Sequence, residues 1–268
     1  MANATPTIPD ISVQPNSQES IQARVNEGRI SWTGPLLLIA TRPFLFFSIQ
    51  ALIAIVLVAT HHRDAWHLAG GWWNVYGTGV DLGCLVSLRY FTRREGIRLR
   101  DLLGPIRLRF GRDLFVGLGL FAVTAPVFIG GSVATEVLLY GSLSRIPAAF
   151  LMQKHALPVW ALVYSVTFWW ILSSATEEAT YQGYALPRLQ ALTGRTWTAV
   201  LVVAFWWNLQ HCMLPLVFDW KYLLVRLVGF IPGIFIFMLV YLRTRRLAPL
   251  IVAHWCMDIV GAVMAAVW

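Results

Sequence analysis

Long apolar runs separated by short polar segments follow one another from residue 35 to the end of the chain. Each run approaches the roughly 20 residues that a helix needs to cross a bilayer. The pattern therefore predicts an all-α fold, a polytopic transmembrane helix bundle of about seven to eight spans. The candidate spans are residues 43–60, 69–88, 114–134, 158–187, 197–216, 223–241 and 247–267.

The first 34 residues differ from the rest, because they are rich in Asn, Gln, Ser, Thr and Pro. This composition is typical of disorder, so we predict a disordered polar tail over 1–34. The apolar part begins only at Pro35, which argues against a cleaved signal peptide. Residues 35–268 are predicted to form one transmembrane domain, with the chemically interesting core in 158–268.

The composition supports a membrane protein, since 57% of the 268 residues are hydrophobic and only 13% are charged. A soluble domain carries about 25% charged residues. The three cysteines lie inside apolar segments and are odd in number, so they do not predict a disulfide scaffold or a paired metal site.

The net charge of +8 is explained by arginines that cluster between the apolar runs. With a cytoplasmic N-terminus, 16 of the 21 basic residues fall on the inner side, which fits the positive-inside rule. We therefore interpret the charge as orienting the chain in the bilayer and expect no nucleic-acid partner. The inner set is Arg24, Arg29, Arg42, Arg89, Arg93, Arg94, Arg98, Arg100, Arg107, Arg109, Arg112, Arg188, Arg195, Arg243, Arg245 and Arg246.

Ionisable side chains inside the predicted spans mark candidate functional positions, because an unpaired charge in hydrocarbon is costly. They are Asp81, Glu177, Glu178, His211, His254 and Asp258. We interpret Asp81 as a structural polar residue, since nothing in the sequence ties it to the others.

The adjacent Glu177 and Glu178 lie about 16 Å from Arg188 along a continuous helix, which is near the middle of the bilayer. Two neighbouring carboxylates resist ionising together in a low dielectric, so one can serve as an acid or a poised base. The alternative is a helix that ends at Ala175 and leaves both in a wet loop.

Two further motifs place imidazoles at membrane depth. His254 and Asp258 are four residues apart and share a helix face. His211 lies in the candidate span 197–216, 14 residues after Trp197 and so about 21 Å along the helix. Such a cluster can activate a water toward a peptide carbonyl, can ligate zinc, or can form the proton relay of a transporter. The three possibilities stay open on the residues alone.

The order and spacing of these motifs resemble the three-motif signature of the CAAX protease and bacteriocin-processing (CPBP) intramembrane protease family. The resemblance rests on Glu177-Glu178 with Gln182-Gly183-Tyr184, on Trp207 with His211, and on His254 with Asp258. It implies an α-helical membrane endopeptidase in which Glu177 and His211 activate water and Glu178 supports the first motif. His254 and Asp258 would then bind the oxyanion or position the site.

The sequence departs from the family pattern at three positions. Gln182 stands where an arginine is usual, Trp207 replaces a phenylalanine in an apolar wall, and Asp258 occupies an asparagine-like position. Gln182 is four residues after Glu178 and is predicted to hydrogen-bond that carboxylate without neutralising it. A divalent metal such as zinc, held by Glu177, His211 and His254, is a possible cofactor.

The resemblance implies a CAAX-type hydrolase that acts on a membrane-associated or lipidated peptide or protein among membrane lipids. The compact layout favours a bacterial plasma membrane. The alternative is a noncatalytic membrane scaffold of partner-binding or immunity type, with a site made degenerate by Gln182.

Overall fold

The computed structural model describes residues 14–104, 110–141 and 158–267, with side chains described as far as residue 260. These residues form helices and connecting turns without a β-sheet, which confirms the predicted all-α membrane bundle. The helices are α1 Gln18–Asn26, α2 Thr33–Ala59, α3 Ala65–Gly71, α4 Trp73–Arg94, α5 Phe110–Tyr140, α6 Val159–Thr193, α7 Thr196–Cys212, α8 Trp220–Val228, α9 Ile231–Thr244 and α10 Ala248–Val267.

Within the described residues, four helical segments are long and apolar enough to cross a membrane. They are α2, α5, α6 and the continuous segment Trp220–Thr244 that contains α8 and α9. Large apolar side chains on α5, such as Phe115 and Leu138, are mostly exposed, as expected where a helix faces lipid. Every predicted span overlaps a helix, but a total of seven spans stays a prediction. The chain is an integral membrane protein.

The disorder predicted for residues 1–34 is wrong for the part of this tail that the structure describes. Ser17 caps α1 by accepting a hydrogen bond from the backbone N–H of Ser20, an arrangement that stabilises a helix start. Ile21 of α1 is buried against Ala191 of α6, which anchors the short helix to the bundle. Residues 1–13 lie outside the described part of the chain.

Helix α6 is the element that carries the predicted glutamates, and it contains two π-helical turns, Ser165–Trp169 and Ala179–Ala185. The helix runs through both glutamates without a break, which rules out an end at Ala175. Alpha-helical residues between these turns present Glu177 and Glu178 to the interior. Inserted π turns of this kind are frequent at functional sites.

Close packing of α4 against α6 brings a second polar residue to the same level of the bundle. A Cβ atom at Gly77 would collide with the ring of Trp169, so the approach of these helices requires glycine at this position. The indole nitrogen of Trp169 donates a 2.9 Å hydrogen bond to Asp81 Oδ2. The contact fixes Asp81 beside α6.

A buried ion-pair network holds the opposite end of α6. Arg188 donates two hydrogen bonds to the carboxylate of Glu95, from Nε at 2.8 Å and from Nη2 at 2.6 Å. Arg24 of α1 lies 3.6 Å from the same carboxylate. Burial, and then repulsion from Arg188, lowers the pKa of the Arg24 guanidinium. Glu95 therefore joins α1, the end of α4 and α6 through one carboxylate.

Glu95→Gln is expected to destabilise the folded protein by about 3 kcal/mol, because it leaves Arg188 buried without its anion. The matched control is Glu27→Gln, which breaks the exposed pair with Arg29 and should cost about 1 kcal/mol or less. Thermal unfolding of both variants in detergent measures the difference. Equal unfolding midpoints would contradict the structural role of Glu95.

Candidate active site

All five residues predicted to form the site converge between α6, α7 and α10. Glu177 and Glu178 come from α6, His211 from the end of α7, and His254 and Asp258 from one face of α10. Both glutamates and His254 are buried, and the other two are partly buried. The i,i+4 spacing in α10 places the imidazole and the carboxylate together, with His254 Nε2 3.7 Å from Asp258 Oδ2.

Glu177 is the centre of this cluster, and both of its oxygens are engaged. Oε1 accepts a short hydrogen bond from the indole nitrogen of Trp207. Oε2 accepts a 3.2 Å hydrogen bond from Nη2 of Arg42 on α2. The two donors fix the carboxylate plane, so Glu177 has a defined orientation before any substrate binds.

His254 is oriented by Glu178. Its Nδ1 atom lies 2.8 Å from Glu178 Oε1, so the imidazole carries a proton on Nδ1 when it donates to this carboxylate. Its Nε2 atom then faces Glu177 Oε1 at 3.7 Å. The ring is enclosed by the aromatic rings of Trp207 and Phe237. Glu178 thus sets which nitrogen of His254 points into the site.

His211 is oriented by its own helix. Its Nδ1 atom donates a 2.7 Å hydrogen bond to the carbonyl oxygen of Trp207, one turn earlier. Its Nε2 atom faces Glu177 Oε1 at 3.9 Å. Arg226 of α8 holds the end of α7 by donating to the carbonyl oxygens of His211 and Leu214. Two imidazole Nε2 atoms therefore flank one carboxylate oxygen.

The two Nε2 atoms lie too far from Glu177 Oε1 for direct hydrogen bonds, and they are too close for an atom to fit on the line between them. A bridging oxygen therefore lies to one side of each pair. A water oxygen, or an oxygen of a substrate, can lie within reach of the carboxylate and of either imidazole. This arrangement is suited to removing a proton from water and to receiving negative charge on a carbonyl oxygen.

Zinc is compatible with the donor types at the site, since it binds imidazole nitrogen and carboxylate oxygen. As placed, however, no group of three or more His, Cys, Asp and Glu side chains in the described part of the chain is arranged to hold a metal ion. Zinc bound by Glu177, His211 and His254 stays a prediction, which metal analysis of the purified protein checks.

Trp207 contributes more than the apolar wall expected from the sequence. Its ring stacks on Tyr181 with centroids 5.7 Å apart and planes 18° apart, and its indole N–H is the donor to Glu177. A phenylalanine at this position has the ring but not the donor. The replacement of the usual residue therefore adds a hydrogen bond to the centre of the site.

The hydrogen bond predicted from Gln182 to Glu178 is not formed. The side-chain amide of Gln182 is fully buried, and neither its nitrogen nor its oxygen has a hydrogen-bond partner. The reason is local geometry: Gln182 lies in the π-helical turn, whose i→i+5 bonding removes the i,i+4 alignment of an α-helix.

The structure adds Arg42 and Asp81 to the site, and the sequence analysis had tied neither to it. Arg42 was counted among the cytoplasmic arginines, but it lies inside α2 and is fully buried. Asp81 stays interpreted as a structural polar residue, and its carboxylate pairs with Arg42. The available signal was an arginine within a long apolar run, which is costly unless it is paired.

Comparison with known proteins identifies one matching family. Residues 158–260 match the family described as type II CAAX prenyl endopeptidase Rce1-like. The matched segment contains Glu177, Glu178, His211, His254 and Asp258, and the match confirms the resemblance expected from the three motifs. No curated protein and no solved structure matches the chain. At the level of the family, the match supports an intramembrane endopeptidase of CAAX-protease type.

Proposed function

We propose, from the Rce1-like segment 158–260 and the geometry around Glu177, that this membrane protein hydrolyses a peptide bond by an activated water. The observation that carries the proposal is that His211 Nε2 and His254 Nε2 both face Glu177 Oε1 across gaps of 3.9 and 3.7 Å. A water held beside these atoms, within about 3 Å of each, has a carboxylate base and an imidazole as hydrogen-bond partners.

In the proposed reaction, Glu177 removes a proton from the water while the water oxygen attacks the scissile carbonyl carbon. His211 orients the water, because its lone pair on Nε2 faces the same space once Nδ1 donates to the Trp207 carbonyl. The C–N bond then breaks, and the proton carried by Glu177 passes to the leaving amine nitrogen. The products are a new carboxylate and a new amine.

His254 is proposed to stabilise the oxyanion that forms during the attack. The carboxyl groups of Glu177, Glu178 and Asp258 surround its ring, and this negative environment stabilises a positive imidazolium by Coulomb attraction. In that form Nε2–H donates toward the site while Nδ1–H stays on Glu178. A fixed donor aimed at developing charge is an effective catalytic element.

The proposed substrates are membrane-associated or lipidated peptides and proteins, including chains with a lipidated C-terminus. Cleavage is proposed near the cytoplasmic half of the membrane, with the N-terminus of the protein on that side. We propose the bacterial plasma membrane as the location, since four described helical segments are long and apolar enough to cross a membrane.

The alternative of a noncatalytic scaffold rested on Gln182, which offers no cation to the glutamate pair. Arg42 donates to Glu177 from another helix, so the carboxylate has a cationic partner in spite of Gln182. This contact supports a functional site rather than a degenerate one, and hydrolysis is the function that we propose.

The proposal is tested by comparing peptide termini in membranes that carry the wild-type chain with those that carry Glu177→Ala. We expect new C-terminal and N-terminal peptides only with the wild type, and their sequences name the substrate. Thermal unfolding checks that both proteins are folded at equal expression. Identical termini under these conditions would contradict hydrolysis and favour the scaffold.

A further inference from the structure

Arg42 is an unusual residue for its position in the chain. It lies nine residues after the first residue of α2, about 14 Å along the helix axis, and its side chain is fully buried. The segment that matches the endopeptidase family starts at residue 158, so Arg42 lies outside it. A buried guanidinium at this depth is retained only where its charge is matched.

Each guanidinium nitrogen of Arg42 has a side-chain partner. Nε donates a 2.7 Å hydrogen bond to Gln210 Oε1, and Nη1 donates to Asp81. Nη2 donates to Glu177 Oε2 at 3.2 Å and to Ser173 Oγ at 3.4 Å. The guanidinium is planar and rigid, so these partners together fix the position of Nη2, the atom that donates to Glu177.

Asp81 binds Arg42 and is itself held by Trp169. Its Oδ2 atom accepts from the indole of Trp169, and its Oδ1 atom accepts from Arg42. The chain of contacts therefore runs from Trp169 through Asp81 and Arg42 to Glu177. It links α4, α2 and α6, and it meets the carboxylate at the oxygen that Trp207 does not occupy.

We propose that Arg42 and Asp81 are positioning residues for Glu177, and that α2 and α4 are part of the functional unit. Arg42 supplies the cation that holds the carboxylate, and Asp81 holds Arg42. Gln182, four residues after Glu178 on α6, has no hydrogen-bond partner and does not share this task. The inference rests on the proposed hydrolytic function.

The test uses the full-length protein in detergent or vesicles and measures kcat and KM on a lipidated peptide. Arg42→Gln combined with Asp81→Asn removes both charges of the pair, so Asp81 is not left as a buried ion and the loss falls on Glu177, whose carboxylate no longer has its cationic partner. We expect kcat to fall about 100-fold with KM changed less than about threefold, because a base displaced by roughly 1 Å loses this much. Wild-type kcat in the folded double variant would overturn the proposal.

The matched control is Arg246→Gln combined with Asp113→Asn. This pair joins the turn before α10 to the first turn of α5, and it does not contact Glu177. We expect kcat within about twofold of the wild type. An equal loss of kcat in the control would show that any lost ion pair slows the protein, and it would overturn a special role of Arg42.

Arg42→Lys is the conservative variant, since it restores the cation without the planar fork. We expect it to recover about tenfold in kcat over the neutral pair, because charge returns but the defined geometry does not. A lysine variant as slow as the neutral pair would overturn the argument from charge. If Arg42→Gln with Asp81→Asn does not fold, Arg42→Met with Asp81→Leu replaces it. Wild-type kcat in that folded variant would likewise overturn the proposal.

A double-mutant cycle separates this proposal from the proposed function. Unfolding midpoints are measured for Arg42→Gln, Glu177→Gln and the combination, all without substrate. We expect non-additive shifts, because the residues are in contact. If the wild type cleaves no peptide, the proposed function is overturned, but the Arg42 proposal is not. If the shifts of the unfolding midpoints in the two single variants add up to the shift in the double variant, the Arg42 proposal is overturned, but the proposed function is not.

Discussion

Replacing Glu177 by glutamine is expected to lower kcat by about 10⁴-fold, the upper part of the range for loss of a general base. Glutamine has nearly the same shape, but its amide oxygen can accept from the Trp207 indole or from Arg42 and not from both. Thermal unfolding therefore checks that the variant is folded. Glutamine cannot take a proton from water at neutral pH. The measurement is the rate of cleavage of a C-terminal Cys-a-a-X peptide with a prenylated cysteine.

The matched control for this substitution is Glu136→Gln. Glu136 is also a buried carboxyl in a membrane helix, but it lies on α5 and has no contact with Glu177 among the described residues. We expect kcat within about twofold of the wild type, since Glu136 interacts with Arg226, which donates to backbone carbonyl oxygens and not to a reacting group. Substantial turnover by Glu177→Gln, with the control active, would show that another residue is the base.

The helices could be predicted because a bilayer imposes a minimum length of apolar chain on each crossing. The predicted span 43–60 overlaps α2, but α2 begins at Thr33, since the polar residues at its start do not stop a helix. α1 was not predicted, because only Ile21 and Val25 give it an apolar face. The stability of α1 comes from packing on α6, and the composition of the segment does not reveal this packing.

The site could be predicted as far as each motif lies within a single helix. Spacing along α10 is enough to place His254 beside Asp258, because four residues make about one helical turn. The same spacing wrongly predicted a hydrogen bond from Gln182 to Glu178, since Gln182 lies in a π-helical turn. It could not find the pairing of Arg42 with Glu177, which depends on how α2 packs on α6 and spans 135 positions of sequence.

His254→Gln is expected to lower kcat by about 10³-fold, comparable to the loss of one donor to an oxyanion. Glutamine can keep a hydrogen bond to Glu178, but it cannot carry the positive charge that the three surrounding carboxyl groups favour. Cleavage of the same prenylated peptide measures the loss. The matched control is His67→Gln, an exposed histidine paired with Asp64 at the start of α3, which should leave kcat unchanged.

Two further substitutions distinguish the roles of the groups around His254. Glu178→Gln should lower kcat by about tenfold, because an amide can still accept from Nδ1 but no longer attracts a charged ring. Asp258→Asn should have a smaller effect, since Asp258 lies 3.7 Å from Nε2 and forms no direct hydrogen bond with it. Loss of activity in Asp258→Asn as large as in His254→Gln would instead place Asp258 in contact with the reacting atoms.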